Sequence, residues 1–253
     1  MTRPDRIKYP DGEAIAYHRR AGEGPGLIWC GGLKSDMEGS KALALDAWAR
    51  ARGQAYLRFD YFGHGQSSGA FTDGCISRWA QDTQFVLDEL TEGPQILVGS
   101  SMGGWASLIT ALARPERVTG LLLIAPAPDF TQKLMWPRFT PEIQKEILQN
   151  GIYYEPSPYG EPMELTLKLI EDGRQNLIMD APINFAGPVH ILQGMRDEPV
   201  PWKHARELFD LIQSEDMELT LVKDGDHSLS RPADLDRLTD SAARLVDKVR
   251  AGS

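Results

Sequence analysis

Short apolar segments alternate with amphipathic segments along most of this chain. The apolar segments are rich in β-branched and leucine residues, which is typical of buried strands, and the amphipathic segments carry apolar side chains at helical spacing. The predicted strands cover residues 7–9, 14–19, 27–30, 55–59, 96–98, 118–124, 189–192 and 218–222. The predicted helices cover residues 40–52 and 79–90, a segment that ends at 113, and residues 203–212 and 235–250. Alternating strands and helices predict an α/β fold, with a mainly parallel sheet and helices on both faces.

A segment rich in proline and aromatic residues, 128–187, breaks this alternation. Two stretches in it are helix-like, Pro141 to Asn150 and Met163 to Asp172. A long insertion at the end of a sheet where strands terminate predicts a lid over a site, within one domain that spans residues 1–253. The alternatives are a structural subdomain or a dimerisation surface. Four apolar residues suit contact with an acyl chain and equally suit packing of the lid onto the core: Phe130, Leu134, Trp136 and Phe139.

The predicted strand at 96–98 and the helix after it are joined by Gly99-Ser100-Ser101-Met102-Gly103, a G-x-S-x-G motif. Alone, this pentapeptide is often an ordinary glycine-rich turn. A strand directly before it and a helix directly after it are the context in which its serine is a nucleophile. The turn lifts the Ser101 hydroxyl out of the sheet, and glycines two residues away on each side avoid collision. The sequence therefore predicts Ser101 as a nucleophile.

A serine hydroxyl needs a base that takes its proton and an acid that orients the base. His227 lies in a loop directly after the predicted strand 218–222, where parallel sheets place their chemistry. The other histidines are weaker candidates because of their positions: His18 in the N-terminal hairpin, His64 in a strand-end turn, His190 inside a strand with a core role, and His204 on a surface-like helix.

The predicted acid is Asp197, in the loop that follows the strand 189–192. Glu198 is the runner-up. Asp226 precedes His227 directly, and neighbouring side chains in a loop usually point apart. The resulting chain order of serine, aspartate and histidine is the order expected for a nucleophile elbow of this kind.

An acyl-transfer site also needs backbone donors for the oxyanion of the tetrahedral intermediate. One predicted donor is the N–H of Met102, which follows the nucleophile. The other is the N–H of Leu33, since Gly31-Gly32 lets the loop after the strand 27–30 bend inward. Gly32 is the alternative donor if the register differs by one residue.

Composition narrows the class of protein. The chain has 253 residues, 42% of them hydrophobic, and a formal net charge of −9, which argues against nucleic acid or an anionic membrane as a partner. Its two cysteines, Cys30 and Cys75, favour a reducing compartment and no disulfide framework. No run is apolar enough to span a membrane, and the N-terminus is unlike a signal peptide. Zinc-site and dinucleotide-binding spacings are lacking in the sequence, so neither a metal nor a cofactor is predicted.

Together these features resemble the α/β-hydrolase family over nearly the whole chain. More narrowly, the sequence resembles the abhydrolase-domain branch that contains a mitochondrial palmitoyl-protein thioesterase, also described as an acyl-glucuronide esterase, and its bacterial relatives. The segments that carry the resemblance are Gly39–Ala44, Arg58–Tyr61, Asp60–Ser67, Gly93–Trp105, Gly194–Trp202 and Asp226–His227. The resemblance implies a triad of Ser101, Asp197 and His227 and oxyanion donors at Leu33 and Met102. This sequence departs from the family at Gly31-Gly32, where the superfamily commonly has His-Gly. The predicted lid is the part of the chain that is least similar to the family.

The expected function is that of a serine hydrolase which cleaves acyl esters or thioesters of small-molecule or acylated substrates. The rival hydrolase function is an oxyester or carbon–carbon bond hydrolase for a small or aromatic metabolite. The rival of another class is a non-catalytic ligand-binding module on the same fold. Because the sequence has no transit-like leader, we expect a bacterial cytoplasmic protein. The sequence predicts neither the acyl chain length nor an oligomeric state.

Overall fold

The computed structural model describes residues 3–10, 12–156 and 162–252. The strands are β1 Asp5–Lys8, β2 Ala14–Arg20, β3 Glu23–Cys30, β4 Gln54–Phe59, β5 Gln95–Ser100, β6 Val118–Ile124, β7 Ile152–Glu155, β8 Met163–Thr166, β9 Val189–Gly194 and β10 Met217–Val222. The helices are α1 Ser40–Arg52, α2 Ile76–Leu90, α3 Met102–Ala113, α4 Pro141–Asn150, α5 Leu167–Gln175, α6 Trp202–Leu211 and α7 Pro232–Ala251.

Eight strands form the central sheet, in the order β1-β2-β4-β3-β5-β6-β9-β10. The β1–β2 and β2–β4 pairs are antiparallel, and every other neighbouring pair is parallel. The predicted α/β-hydrolase fold with a mostly parallel sheet is therefore confirmed. Since the carboxyl ends of parallel strands meet at one edge, the loops after β3, β5, β9 and β10 converge there.

Helices cover both faces of this sheet, because alternate residues of the central strands face opposite sides. On β5, Leu97 packs into a core with Trp79 of α2 and Trp105 of α3. Its neighbours Ile96 and Val98 face the opposite core, which α1 and α7 cover. The alternation of strands and helices in the sequence thus reflects a sheet that is buried on both sides.

Some element boundaries differ from the prediction. β3 begins at Glu23, inside the predicted loop 22–26, because Glu23 pairs with Gln54 of β4 and its carbonyl accepts a bond from the Gln54 side chain at 2.8 Å. α2 begins at Ile76, three residues before its predicted start. The N-terminal hairpin of β1 and β2 forms as predicted. Asp11 of its predicted turn lies outside the described residues.

The insertion after β6 holds α4, which has the bounds that the sequence predicts, and a separate antiparallel pair of β7 and β8. The helix-like prediction for Met163 to Asp172 is wrong in its first part. Met163–Thr166 is strand β8, and the helix begins at Leu167, where the Thr166 hydroxyl caps it by accepting the Leu169 N–H at 3.1 Å. The insertion has a small apolar core of its own, with Phe139, Ile147, Leu165 and Ile170.

Candidate active site

Ser101 occupies a sharp turn between β5 and α3. Its backbone has φ 55° and ψ −119°, a strained conformation for a residue with a side chain. The Ser101 N–H donates to the carbonyl of Ile124 in the neighbouring β6 at 2.9 Å, which ties the turn to the sheet. The hydroxyl therefore stands at the carboxyl edge of the sheet, directly before the N-terminus of a helix.

The glycines on either side of the turn leave no room for side chains. A Cβ at Gly99 would lie 2.6 Å from the carbonyl oxygen of Gly103, and a Cβ at Gly103 would lie 2.1 Å from that of Cys30. Both positions are therefore restricted to glycine by close backbone approach. This is the physical basis of the G-x-S-x-G spacing.

His227 and Asp197 form a chain of hydrogen bonds with this serine. The His227 Nε2 atom lies 3.0 Å from Ser101 Oγ, and His227 Nδ1 lies 2.7 Å from Oδ2 of Asp197. The Asp197 carboxylate is buried and accepts two further bonds, from the Gln193 amide at 3.0 Å and from the Val200 N–H at 2.7 Å. The three residues predicted from separate loops are thus brought together.

Neither competing acid bonds to His227 among the described residues. Asp226 accepts the N–H of Leu229 at 3.0 Å through Oδ1 and caps its own turn. Glu198 is exposed, and its backbone carbonyl accepts a bond from Arg138. The geometry therefore selects Asp197 as the partner of His227.

Among the described residues, no histidine other than His227 is hydrogen-bonded to Ser101. His190 is buried within β9, as its position in the sequence indicates. The prediction of a surface position for His204 is wrong: it is buried, with Nε2 2.8 Å from the carbonyl oxygen of Pro128. Burial lowers the pKa of His204 below its ordinary value. α6 presents this side chain to the start of the insertion, a tertiary contact that the polar sequence around it does not reveal.

The two predicted oxyanion donors lie beside Ser101. Met102 is the first residue of α3, so its N–H has no partner within the helix. Leu33 lies in a turn closed by the Ser35 N–H, which donates to the Gly32 carbonyl at 3.1 Å. A Cβ built on Gly32 would lie 3.4 Å from the Ser101 Cβ, so this turn packs directly against the serine. Among the described residues, no carbonyl or side chain accepts the Leu33 N–H.

A cavity of about 750 Å³ opens above Ser101 and His227. The insertion supplies much of its apolar wall, through Phe130, Leu134, Met135, Phe139, Ile143 and Met163. Trp136 does not line it: the indole packs edge-on against Phe139, with ring centroids 6.1 Å apart, and beneath the guanidinium of Arg174. Five charged residues also line the cavity: Asp36, Lys41, Arg138, Glu155 and Glu198.

Several contacts around the site were not predicted from the sequence. The Lys41 ammonium donates to the carbonyl of Ser228, next to His227, so α1 holds the histidine loop. Burial lowers the pKa of Lys41. His64 accepts the backbone N–H of Lys34 in the turn that carries Leu33. In the sequence, the only indication of this contact is that His64 lies in the turn after β4, at the same edge of the sheet as the loop after β3.

Both cysteines are buried and unpaired. Burial raises the pKa of the Cys30 thiol to about 11, so the thiolate is disfavoured at neutral pH. In the ranges that the structure describes, no helix is long and apolar enough to cross a bilayer. The same ranges hold no cluster of three or more histidine, cysteine or acidic side chains arranged to bind a metal.

A serine at a strand–helix turn, hydrogen-bonded to a histidine that is bonded to a buried aspartate, is the arrangement typical of one class of enzymes, the α/β-hydrolases. Comparison with known families agrees, since a family described as alpha/beta hydrolase fold matches residues 29–151. The chain belongs to the α/β-hydrolase family.

Within that family the chain is similar to the mitochondrial palmitoyl-protein thioesterase ABHD10 of Rattus norvegicus. The two are 38% identical over 247 residues, which is 96% of this chain and 82% of the rat protein. Among solved structures it is similar to a putative hydrolase from Agrobacterium vitis S4, with TM-score 0.92, 44% identity and coverage of 96% of this chain and 98% of that one. It is also similar to mouse alpha/beta hydrolase domain-containing protein 10, with TM-score 0.90, 36% identity and coverage of 98% and 100%.

Proposed function

We propose that this protein is a serine hydrolase that cleaves acyl thioesters or carboxylic esters through an acyl-enzyme intermediate. The observation that carries the proposal is the unbroken chain from Ser101 Oγ to His227 to Asp197, with separations of 3.0 and 2.7 Å, on the floor of the cavity. Such a chain supplies a nucleophile, a base and an orienting acid in one line.

In the acylation step, Ser101 Oγ attacks the acyl carbonyl carbon while His227 Nε2 takes the hydroxyl proton. Asp197 accepts the Nδ1–H, which keeps the unprotonated Nε2 towards the serine and stabilises the imidazolium that forms. The N–H groups of Leu33 and Met102 bind the oxyanion, whose charge develops only during the reaction. The imidazolium then gives its proton to the leaving thiol or alcohol.

In the deacylation step, water attacks the acyl-serine and His227 acts as base again. The same donors bind the second oxyanion. The proton returns from His227 to Ser101 Oγ as the carboxylic acid leaves, so the enzyme regains its starting state.

The apolar wall supports an acylated substrate. Phe130, Leu134 and Phe139 line the cavity beside the nucleophile, where burial of each methylene of an acyl chain contributes about 0.8 kcal/mol. We assign these residues of the insertion to a lid over the site. The name of the rat relative, a palmitoyl-protein thioesterase, supports a thioester as the acyl donor.

The test is a comparison of kcat/KM across matched acyl thioesters and oxyesters from two to sixteen carbons, with Ser101→Ala as the blank. Loss of the serine costs on the order of 10⁶ in kcat in the well-studied subtilisin case, so the blank has to be inactive. Rising values with chain length and a preference for thioesters would support the proposal. A preference for short or bulky oxyesters would indicate a metabolite esterase instead. If no substrate of the series shows turnover that depends on Ser101, the carbon–carbon bond hydrolase and the non-catalytic binding module remain as the alternative functions.

A further inference from the structure

The turn that carries Leu33 has an unusual backbone. Gly32, Leu33, Lys34 and Ser35 form a β-turn, and Lys34 in its third position has φ 56°. Type II turns require this sign of φ at that position and favour glycine there. A lysine held in the left-handed region is strained, so other contacts have to hold the turn in this form.

His64 makes one of those contacts. Its Nε2 atom lies 3.0 Å from the backbone nitrogen of Lys34, and its Nδ1 lies 3.1 Å from the carbonyl oxygen of Phe62. A carbonyl only accepts, so Nδ1 carries the proton and Nε2 offers its lone pair to the Lys34 N–H. This bond selects the orientation of the peptide between Leu33 and Lys34.

The imidazole itself has little freedom. It is 4% exposed and is packed edge-on by the rings of Tyr61, Phe71 and Trp79, with centroids 5.3 to 5.8 Å away. The Trp79 indole N–H donates to the same Phe62 carbonyl at 3.1 Å, which fixes the acceptor of Nδ1–H as well. The aromatic walls thus hold Nε2 in one place.

The groups that face His64 favour its neutral form. Burial lowers the pKa of His64, the Lys34 ammonium lowers it further, and the Phe62 carbonyl opposes both. A protonated Nε2 would present a hydrogen to the Lys34 N–H, and the bond would be lost. The Lys34 side chain bonds to Glu164 of β8 and lies over the Phe71 ring, so the turn is held from both sides.

We propose that His64 is a positioning residue for the oxyanion site: its neutral Nε2 accepts the Lys34 N–H and thereby aims the Leu33 N–H at the reaction centre beside Ser101. The inference rests on the proposed hydrolase function. His64 touches neither substrate nor Ser101, and its effect passes through the turn.

The test is the pair His64→Gln and His64→Phe. Glutamine retains an acceptor near Nε2 but lacks a ring, and phenylalanine retains a ring without an acceptor. Because an oxyanion donor acts in the transition state, His64→Phe is expected to lower kcat about tenfold or more with little change in KM. His64→Gln is expected to stay within about fivefold of wild type, since its acceptor can still bind the Lys34 N–H. His18→Phe is the control, the same change at a histidine of β2 whose Nε2 has no hydrogen-bond partner among the described residues.

Equal activity of His64→Phe and wild type would overturn the proposal. So would a fall in His64→Gln as large as that in His64→Phe, which would mean that the ring acts by packing alone. Two measurements do not depend on turnover. Amide hydrogen exchange of residues 31–37 should be faster in His64→Phe, and NMR of the wild-type protein should show a hydrogen-bond coupling between the Lys34 amide and His64 Nε2.

These measurements separate the two proposals. If wild type shows no Ser101-dependent turnover while the exchange and coupling behave as expected, the hydrolase function fails and the control of the turn by His64 stands. If the coupling is absent or the wild-type Lys34 amide exchanges as an unprotected one, the positioning role fails whatever the activity. If His64→Phe does not fold, the wild-type spectra still test the positioning role of His64.

Discussion

His227 Nε2 lies 3.0 Å from Ser101 Oγ, although the strands that precede the two residues are not neighbours in the sheet. In the sheet order β5-β6-β9-β10, the strand before His227 is three places from the strand before Ser101. At about 4.8 Å per strand, the gap is roughly 14 Å. The loop after β10 therefore has to cross the end of β9 to reach the serine.

Gly194, the last residue of β9, allows that crossing. The Arg196 N–H donates to the carbonyl of Gly225 at 2.8 Å, which docks the loop on the strand end. A Cβ on Gly194 would lie 2.4 Å from the carbonyl oxygen of Asp226 and 2.5 Å from that of Gly225. The histidine thus reaches Ser101 over a position with no side chain.

The first prediction concerns this crossing. Gly194→Ala should displace the histidine loop, because the new methyl meets rigid backbone rather than a flexible side chain. We expect a loss of about 1–3 kcal/mol in the free energy of unfolding, together with a fall in kcat. Urea denaturation and steady-state kinetics measure the two effects. Gly252→Ala is the control, since its Cβ would meet nothing closer than 3.7 Å. Wild-type stability and kcat in Gly194→Ala would show that the loop does not depend on this contact.

The second prediction separates the two aspartates near His227. Asp197→Asn should lower kcat by about 10⁴, as in the serine protease triad, because an amide at this position can stabilise the wrong tautomer of His227. Asp226→Asn is the matched variant: its carbonyl oxygen can still accept the Leu229 N–H, and kcat should stay within a fewfold of wild type. Similar losses in both variants would contradict the assignment of Asp197.

The third prediction concerns the apolar wall. Leu134→Trp should fill part of the cavity and exclude the end of a long acyl chain. Exclusion of two methylenes costs about 1.6 kcal/mol, so kcat/KM for a sixteen-carbon substrate should fall about tenfold or more, with little change for a two-carbon substrate. Leu148→Trp is the control, since Leu148 of α4 is 55% exposed. An unchanged chain-length profile in Leu134→Trp would place the acyl chain elsewhere.

The sequence predicts the sheet and the site well because both depend on local signals. β6, α1 and α4 have their predicted bounds, since apolar runs, helical spacing and Gly53 with φ 65° mark them clearly. Parallel strands bring their carboxyl ends to one edge, so residues directly after strands become neighbours. That topological rule is why three separate loops could be assigned to one site from the sequence.

The features that were missed depend on tertiary contacts. β7 and β8 are short strands that pair with each other and pack on the core of the insertion, so the sequence of Met163–Thr166 alone does not distinguish a strand from the start of a helix. Trp136 packs against Phe139 within the insertion and does not line the cavity. The spacing of apolar residues along the sequence does not determine which of these two sides the indole faces. The lid role of residues 128–187, the single-domain organisation of the chain and the cytoplasmic location stay predictions.

The fourth prediction follows from His204, whose burial between α6 and Pro128 contrasts with its polar sequence surroundings. Burial lowers its pKa in the folded state below the ordinary value of 6.5, and the bond to the Pro128 carbonyl only partly opposes this. The unfolded chain therefore binds a proton at a higher pH than the folded protein does. The stability that neutral His204 contributes is present above pH 6.5 and is lost as the pH falls from there through the folded-state pKa.

Urea denaturation at several pH values between about 5.5 and 7.5 measures this dependence, to which one such group contributes at most about 1.4 kcal/mol per pH unit. His64 and His190, whose pKa values are also lowered by burial, add to it with the same sign. His204→Gln removes one titrating group while its amide can still donate to the Pro128 carbonyl, so the free energy of unfolding should fall less steeply with decreasing pH than in wild type. Lys203→Gln, an exposed change on the same helix, should leave the wild-type slope. If His204→Gln also had the wild-type slope, His204 would not be a source of acid sensitivity.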